Sequence, residues 1–236
     1  MHKLTHNFKK VSNEFNWFKL SLTVTLFFVS QITLNVLIVY LKSAQFILDS
    51  QTILILNIAH NILTVAIVIA VYKWKIVNTK IINRSLSFFK EVNKGLYWGL
   101  IVLAVNLIMG LIMYLVFSAL GLEVAPQNAT NIINKTNKDN FILVFIAIVV
   151  AAPIAEEIIF RGVVYKTLAN YFSTTIAILL SGIVFSLLHL DWFFILQISV
   201  MGILLAYCYR KTQTLITPIV AHMVVNFLYF LSWIQT

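Results

Sequence analysis

Residues 96–120 read LYWGLIVLAVNLIMGLIMYLVFSAL, a stretch of 25 residues without a charged side chain. A helix of this length rises far enough to cross the roughly 30 Å hydrocarbon core of a bilayer. In that environment the backbone must satisfy its own hydrogen bonds, and a continuous helix does so. The stretch therefore predicts a transmembrane helix.

The whole chain has the composition of a membrane protein. Its 236 residues are 61% hydrophobic and 11% charged, with a mean hydropathy of +0.93, whereas soluble domains carry about 25% charged residues. The fold class is therefore all-α, a polytopic bundle of about seven spans. The only cysteine, Cys208, excludes an intrachain disulfide or a thiolate metal cluster. The other predicted spans cover residues 20–41, 52–72, 141–160, 174–189, 192–209 and 215–233.

The basic residues predict the orientation of these spans. Fourteen of the 17 lysines and arginines fall within 1–19, 73–94, 161–173 and 210–211, which a seven-helix threading places on one side. Because positively charged loops stay in the cytoplasm, we expect a multi-pass bacterial cell-membrane protein with a cytoplasmic N-terminus and an outward C-terminus. The net charge of +9 is explained by anionic membrane lipid, since no nucleic-acid-binding motif surrounds these residues. Nothing in the sequence indicates an oligomeric state.

A polar segment rich in Asn and Thr, residues 121–140, predicts an outer loop that divides the chain. Residues 1–140 form an N-terminal three-helix membrane region that includes this loop. Residues 141–236 form a C-terminal four-helix region whose spans carry ionisable side chains. Such side chains are costly in hydrocarbon and mark candidate functional sites. Gly95 and Gly99 are spaced like a helix-pairing motif, but the pattern alone is too weak to use.

Two adjacent glutamates in the fourth span have different expected roles. Glu157 lies four residues before Arg161, so the two share a helix face and can form an ion pair. Glu156 is rotated about 100° from Glu157 and has no counter-charge in its own segment. A carboxylate in apolar surroundings can take a proton from water, which makes Glu156 the candidate for chemistry. Alternatively, all three residues form a structural ion-pair cluster.

Two histidines occupy later spans. His189 follows Phe185 by four residues, and His222 precedes Asn226 by four, so each pair lies on one helix face. An imidazole and a carboxamide can both donate to an oxygen that gains negative charge. Their alternative role is hydrogen bonding between helices.

Hairpin geometry predicts whether these sites meet. With a turn near residue 172, Glu156 and His189 lie 16 and 17 residues from the turn and are therefore level. His222 lies only ten residues beyond a turn near 212. All three converge if the fourth helix continues past Arg161 through Asn170. The polar residues of that segment permit this extension.

Three short patterns on successive apolar helices resemble the motifs of the CAAX-protease and bacteriocin-processing family, also called CPBP or Abi. The resemblance covers roughly residues 141–230 and is specific because the patterns occur together and in order. The patterns are Glu-Glu-x-x-x-Arg at Glu156 to Arg161, Phe-x-x-x-His at Phe185 to His189, and His-x-x-x-Asn at His222 to Asn226.

This resemblance implies an intramembrane endopeptidase similar to type II CAAX prenyl proteases. Glu156 would be the general base that activates water, assisted by His189, while His222 and Asn226 would stabilise the tetrahedral oxyanion. The substrate would be a hydrophobic or membrane-anchored peptide, cleaved during peptide maturation or bacteriocin self-immunity. The supporting residues would be Glu157, Arg161 and Phe185.

The resemblance leaves the cofactor open. Glu156, His189 and His222 could supply a nitrogen and oxygen ligand set for zinc, with a position left for water. The compact His-Glu-x-x-His helix is absent, and Asn226 is better explained as a hydrogen-bond donor. A mechanism without a metal is therefore favoured.

Two other functions explain the same polar residues. A non-catalytic membrane binding or immunity protein would use them to pair helices. A proton-coupled transporter would use Glu156 and the histidines as a relay, but the sequence has no evident inverted repeat or broken helix.

The charge pattern generates a first prediction. A reporter active only in the cytoplasm, fused after Thr236, should be inactive because seven crossings place the C-terminus outside. The same reporter fused before Met1 is the control and should be active. Activity of the Thr236 fusion would contradict the seven-span threading.

Overall fold

The structure, a computed structural model, describes residues 17–43, 49–72, 85–122, 138–189, 191 and 193–235. Within these ranges the chain forms seven helices and no strand, which confirms the predicted all-α class. Most of the predicted outer loop and the lysines before residue 17 lie outside the described residues. The helices are α1 (Trp17–Ser43), α2 (Ser50–Val71), α3 (Ser85–Ala119), α4 (Lys138–Tyr171), α5 (Thr174–Leu187), α6 (Ile195–Thr212) and α7 (Ile216–Gln235).

Five of the seven described helices, α1 to α4 and α7, are long and apolar enough to cross a membrane. The chain is thus a multi-pass helical membrane bundle. Helix α5 is equally apolar but has only 14 residues, because its sequence reaches a turn at Leu188. The predicted span 174–189 was therefore too long, and His189 lies in the turn after α5. Helix α3 begins 11 residues before the predicted span, since the polar segment before residue 96 is also helical.

Helix α4 contains two π-helical segments. It opens with a 3₁₀ turn and then adopts the wider π register at Phe145–Ala151 and Phe160–Tyr165, on either side of the α-helical segment Ala152–Ile159. Helix α4 continues to Tyr171, which confirms the predicted extension past Arg161. The π segments had no counterpart in the prediction. Such register changes occur frequently at functional sites.

Glycines allow two close helix contacts. A Cβ atom on Gly95 or Gly99 would lie 2.5 or 2.7 Å from the Cβ atom of Val220 or Val224, so α3 packs directly against α7. The spacing of these glycines, judged too weak to use from the sequence, does mark a helix contact. In the hairpin of α5 and α6, a Cβ atom on Gly202 would lie 3.0 Å from the backbone of Gly182. Small residues permit this approach in membrane helices.

The α5–α6 contact generates a second prediction. A Cβ atom on Gly182 would lie 2.6 Å from the backbone nitrogen of Ile203, which cannot move without separating the helices. Gly182→Val should therefore cost about 1–3 kcal/mol of stability by overpacking and lower the melting temperature in detergent. Ile183→Ala, at an exposed neighbouring position, is the control and should have little effect. An unchanged melting temperature for Gly182→Val would show that the two helices do not pack this closely.

Candidate active site

One carboxylate oxygen of Glu156 lies between two histidines. Its Oε2 atom is 3.8 Å from Nε2 of His189 and 3.9 Å from Nε2 of His222. The three side chains come from α4, from the turn after α5 and from α7. The structure therefore brings together the three residues that the hairpin geometry predicted to converge. The side chain of His222 is 2% exposed, while those of Glu156 and His189 are 20% and 32% exposed, so the site opens on the side of Glu156 and His189.

In each histidine, the hydrogen bond made by Nδ1 determines the tautomer of the ring. Nδ1 of His189 is 2.7 Å from the backbone carbonyl oxygen of Phe185, which can only accept, so Nδ1 donates. Nδ1 of His222 is 3.3 Å from Oε1 of Glu157 and donates to that carboxylate. In a neutral ring the proton on Nδ1 leaves Nε2 as a lone pair. Both lone pairs then face Oε2 of Glu156.

These contacts place three acceptors around one point. The two Nε2 distances exceed the range of a direct hydrogen bond, and within the described part of the chain Oε2 of Glu156 is buried without a hydrogen-bond partner. A buried acceptor without a donor is unfavourable and needs an explanation. A water molecule or a bound cation would supply the partner that such a site requires.

The same three atoms can be compared with a zinc site. Tetrahedral zinc with bonds of 2.0–2.2 Å sets neighbouring ligand atoms about 3.3 Å apart. The observed separations are longer by about half an ångström, and among the described residues no set of three ligating side chains has the arrangement of a metal site. Glu156, His189 and His222 thus offer one oxygen and two nitrogen atoms of the kinds that bind zinc, at separations slightly longer than in a bound zinc site.

The predicted ion pair between Glu157 and Arg161 is present. Both side chains are fully buried, with Nε of Arg161 2.9 Å from Oε2 of Glu157 and Nη2 donating to Oε1 at 3.2 Å. Because Oε1 also accepts from His222, the pair sets the orientation of that ring. The sequence did not predict this contact with α7.

Aromatic rings and a serine enclose the arginine. The Arg161 guanidinium lies 5.1 Å from the ring centre of Phe185 and 5.9 Å from that of Phe160, which are favourable cation–π distances. Nη1 also contacts the hydroxyl of Ser181 at 3.5 Å. Phe185 packs in addition against the rings of His189 and His222, at centroid distances of 4.5 and 5.9 Å. Phe185 therefore contacts both Arg161 of the ion pair and the two histidines.

Asn226 contacts a different part of α4. Its Nδ2 donates to the backbone carbonyl oxygen of Ile148 at 3.0 Å, in the first π segment. Asn226 thus lies one turn beyond His222 on α7, and the described contact of its amide is with α4 rather than with a histidine.

A second polar cluster was missed by the sequence analysis. Nε2 of Gln197 and the hydroxyl of Tyr229 both donate to Oδ1 of Asn106, at 2.8 and 3.0 Å. These bonds join α6, α7 and α3. The carboxamide of Asn106 within the otherwise apolar stretch 96–120 could have indicated this cluster from the sequence.

Comparison with known proteins places this arrangement in a family. The family described as "Type II CAAX prenyl endopeptidase Rce1-like" matches residues 138–228, which include the whole site. The membrane-embedded CAAX protease MroQ of Staphylococcus aureus (strain USA300) is 30% identical over 206 residues, covering 84% of this chain and 74% of MroQ. The chain belongs to the CAAX protease family.

A second relative matches a shorter region. YdiL of Bacillus subtilis (strain 168), provisionally named a membrane peptidase, is 33% identical over 84 residues. That match covers 36% of this chain and 34% of YdiL. No solved structure matches the chain. The region shared with the family contains the two glutamates, both histidines and Asn226.

The buried ion pair generates a third prediction. Glu157→Ala leaves the Arg161 charge buried without its partner, which typically costs about 3–5 kcal/mol. The amount of folded protein and its melting temperature in detergent should therefore fall. Glu156→Ala is the matched control and should fold normally, because in the described part of the chain Glu156 makes no ion pair with lysine or arginine. Normal folding of Glu157→Ala, combined with lost activity, would show that the roles of the two glutamates are exchanged.

Proposed function

We propose that this protein is an intramembrane endopeptidase in which Glu156 activates a water molecule. The substrate is a hydrophobic or membrane-anchored peptide, cleaved for peptide maturation or bacteriocin self-immunity. The protein acts in the cell membrane, with its N-terminus in the cytoplasm. The observation that carries this proposal is the convergence of Oε2 of Glu156 with the Nε2 atoms of both histidines. Membership of the CAAX protease family supports the same reaction class.

The geometry supports a specific division of roles in the first step. Water placed beside Oε2 of Glu156 can donate one hydrogen to that oxygen and the other to Nε2 of His189. As the water oxygen attacks the substrate carbonyl carbon, Glu156 takes the first proton as general base. The electron pair of the carbonyl bond moves to the carbonyl oxygen and gives a tetrahedral oxyanion.

Hydrogen-bond donors on α7 stabilise that oxyanion. Asn226 uses one Nδ2 hydrogen on Ile148 and keeps a second hydrogen for the oxyanion. His222 is the second donor through Nε2, which lies 3.9 Å from Oε2 of Glu156, in the form of the ring in which both nitrogens carry a proton rather than in its neutral form. Donors fixed in advance at a site of developing charge typically contribute about 10²–10³-fold to the rate.

The proton held by Glu156 completes the reaction. It passes to the nitrogen of the scissile bond as the carbon–nitrogen bond breaks, so one water molecule yields a carboxylic acid and an amine. The peptide reaches the site from the open side formed by Glu156 and His189, because His222 is closed off by the bundle. Glu157 and Arg161 hold α4 and the His222 ring in place.

The fourth prediction tests this function. Wild-type protein in liposomes should cleave members of a pool of internally quenched apolar peptides, and mass spectrometry should identify the bond. Glu156→Gln keeps the shape of the side chain but cannot accept the proton, so it should remove the ~10²–10⁴-fold contribution of a general base. Folding of the variant should be normal.

The matched control for that experiment is Glu91→Gln. Glu91 lies on α3, where it contacts Lys94 and Thr217. Its replacement should leave cleavage unchanged. Cleavage by Glu156→Gln at the wild-type rate would reject Glu156 as the base. Failure of the wild-type protein to cleave any peptide above the Glu156→Gln background would favour a binding or immunity protein.

A further inference from the structure

The hydrogen bond between Asn226 and Ile148 depends on an unusual feature of α4. Nδ2 of Asn226 donates to the Ile148 carbonyl oxygen at 3.0 Å, although carbonyl groups inside a helix normally accept from their own helix. Ile148 lies within the π segment Phe145–Ala151. The register of that segment explains why its carbonyl is available.

Two backbone positions in α4, residues 152 and 153, are the ones from which an N–H group would normally reach the Ile148 carbonyl. The N–H of Ala152, which would serve in an α register, donates instead to Ala147, five residues earlier. The next donor in the π register would be the N–H of residue 153. That residue is Pro153, which has no N–H. The π register and the proline together free one carbonyl oxygen, and Asn226 donates to it.

We propose that Pro153 is a positioning residue that fixes the carboxamide of Asn226 by keeping the Ile148 carbonyl free. The inference rests on the proposed role of Asn226 as an oxyanion donor. With one Nδ2 hydrogen bound to Ile148, the second points in a fixed direction and needs no reorientation when the oxyanion forms. Pro153 does not touch the reacting atoms and acts through Ile148.

The test adds the missing N–H. Pro153→Ala supplies a backbone donor that competes with Asn226 for the Ile148 carbonyl. In liposomes, with the peptide that wild-type protein cleaves fastest, kcat should fall about tenfold through misorientation, with KM nearly unchanged. Asn226→Ala alone should lower kcat by about 10²–10³-fold. In the Asn226→Ala background, Pro153→Ala should cause no further loss, because the two changes remove one shared interaction.

Two controls distinguish the effect of the added N–H group from the effect of losing the proline ring. Lactate in place of residue 153 forms an ester that has the side chain of alanine but no N–H, so it should restore kcat to near the wild-type value. Pro218→Ala changes a proline in the first turn of α7, where backbone N–H groups have no partner within the helix, and should leave kcat unchanged. Melting temperatures in detergent confirm that each variant is folded.

Each result decides the inference. It is overturned by an unchanged kcat in Pro153→Ala, or by an equal loss of kcat when Pro153→Ala is added to Asn226→Ala. It is also overturned if the folded ester variant does not recover the wild-type kcat. The ester variant gives this answer even when Pro153→Ala does not fold. Full activity of Asn226→Ala would instead reject the proposed oxyanion role, and the inference with it, while leaving Glu156 as the base.

Discussion

The buried ion pair between Glu157 and Arg161 is the interaction on which the site depends. Two charges with no exposed surface are tolerated in a membrane helix because each has the other as a partner and further contacts complete their surroundings. Glu157 orients His222, and Arg161 packs against Phe185, which in turn contacts both histidines. The ion pair thus connects α4 with α5 and α7, and it holds two of the three groups that surround the proposed water.

The different roles proposed for the two adjacent carboxylates follow from their different environments. Glu157 is fully buried and paired with Arg161, which suits the structural role proposed for it. Glu156 is one residue earlier, about 100° around the helix, and faces the two Nε2 atoms on the open side of the site. A pair of carboxylates separated in this way by environment is a recurring arrangement in enzymes that move protons.

Sequence patterns predicted the parts of the structure that depend on helical periodicity. Spacing of four residues identified the ion pair, and distance from the turns predicted that Glu156, His189 and His222 meet. The patterns could not predict where α4 leaves the α register, because that depends on which backbone donors tertiary packing leaves available. The contact of Asn226 with Ile148 was missed for the same reason, although Pro153 was a visible signal. The end of α5 before His189 was missed because apolar residues continue into the turn.

The most direct test of a glutamate-activated water is metal analysis of purified, active protein alongside dialysis against a strong chelator. The proposed mechanism makes Oε2 of Glu156, which lies 3.8 and 3.9 Å from the two Nε2 atoms, the acceptor of a proton from water rather than a ligand of zinc. Active protein should therefore contain far less than one transition metal per chain and should keep its activity after dialysis. Stoichiometric zinc, with activity lost on chelation and restored when zinc is added back, would contradict this mechanism and make Glu156, His189 and His222 metal ligands.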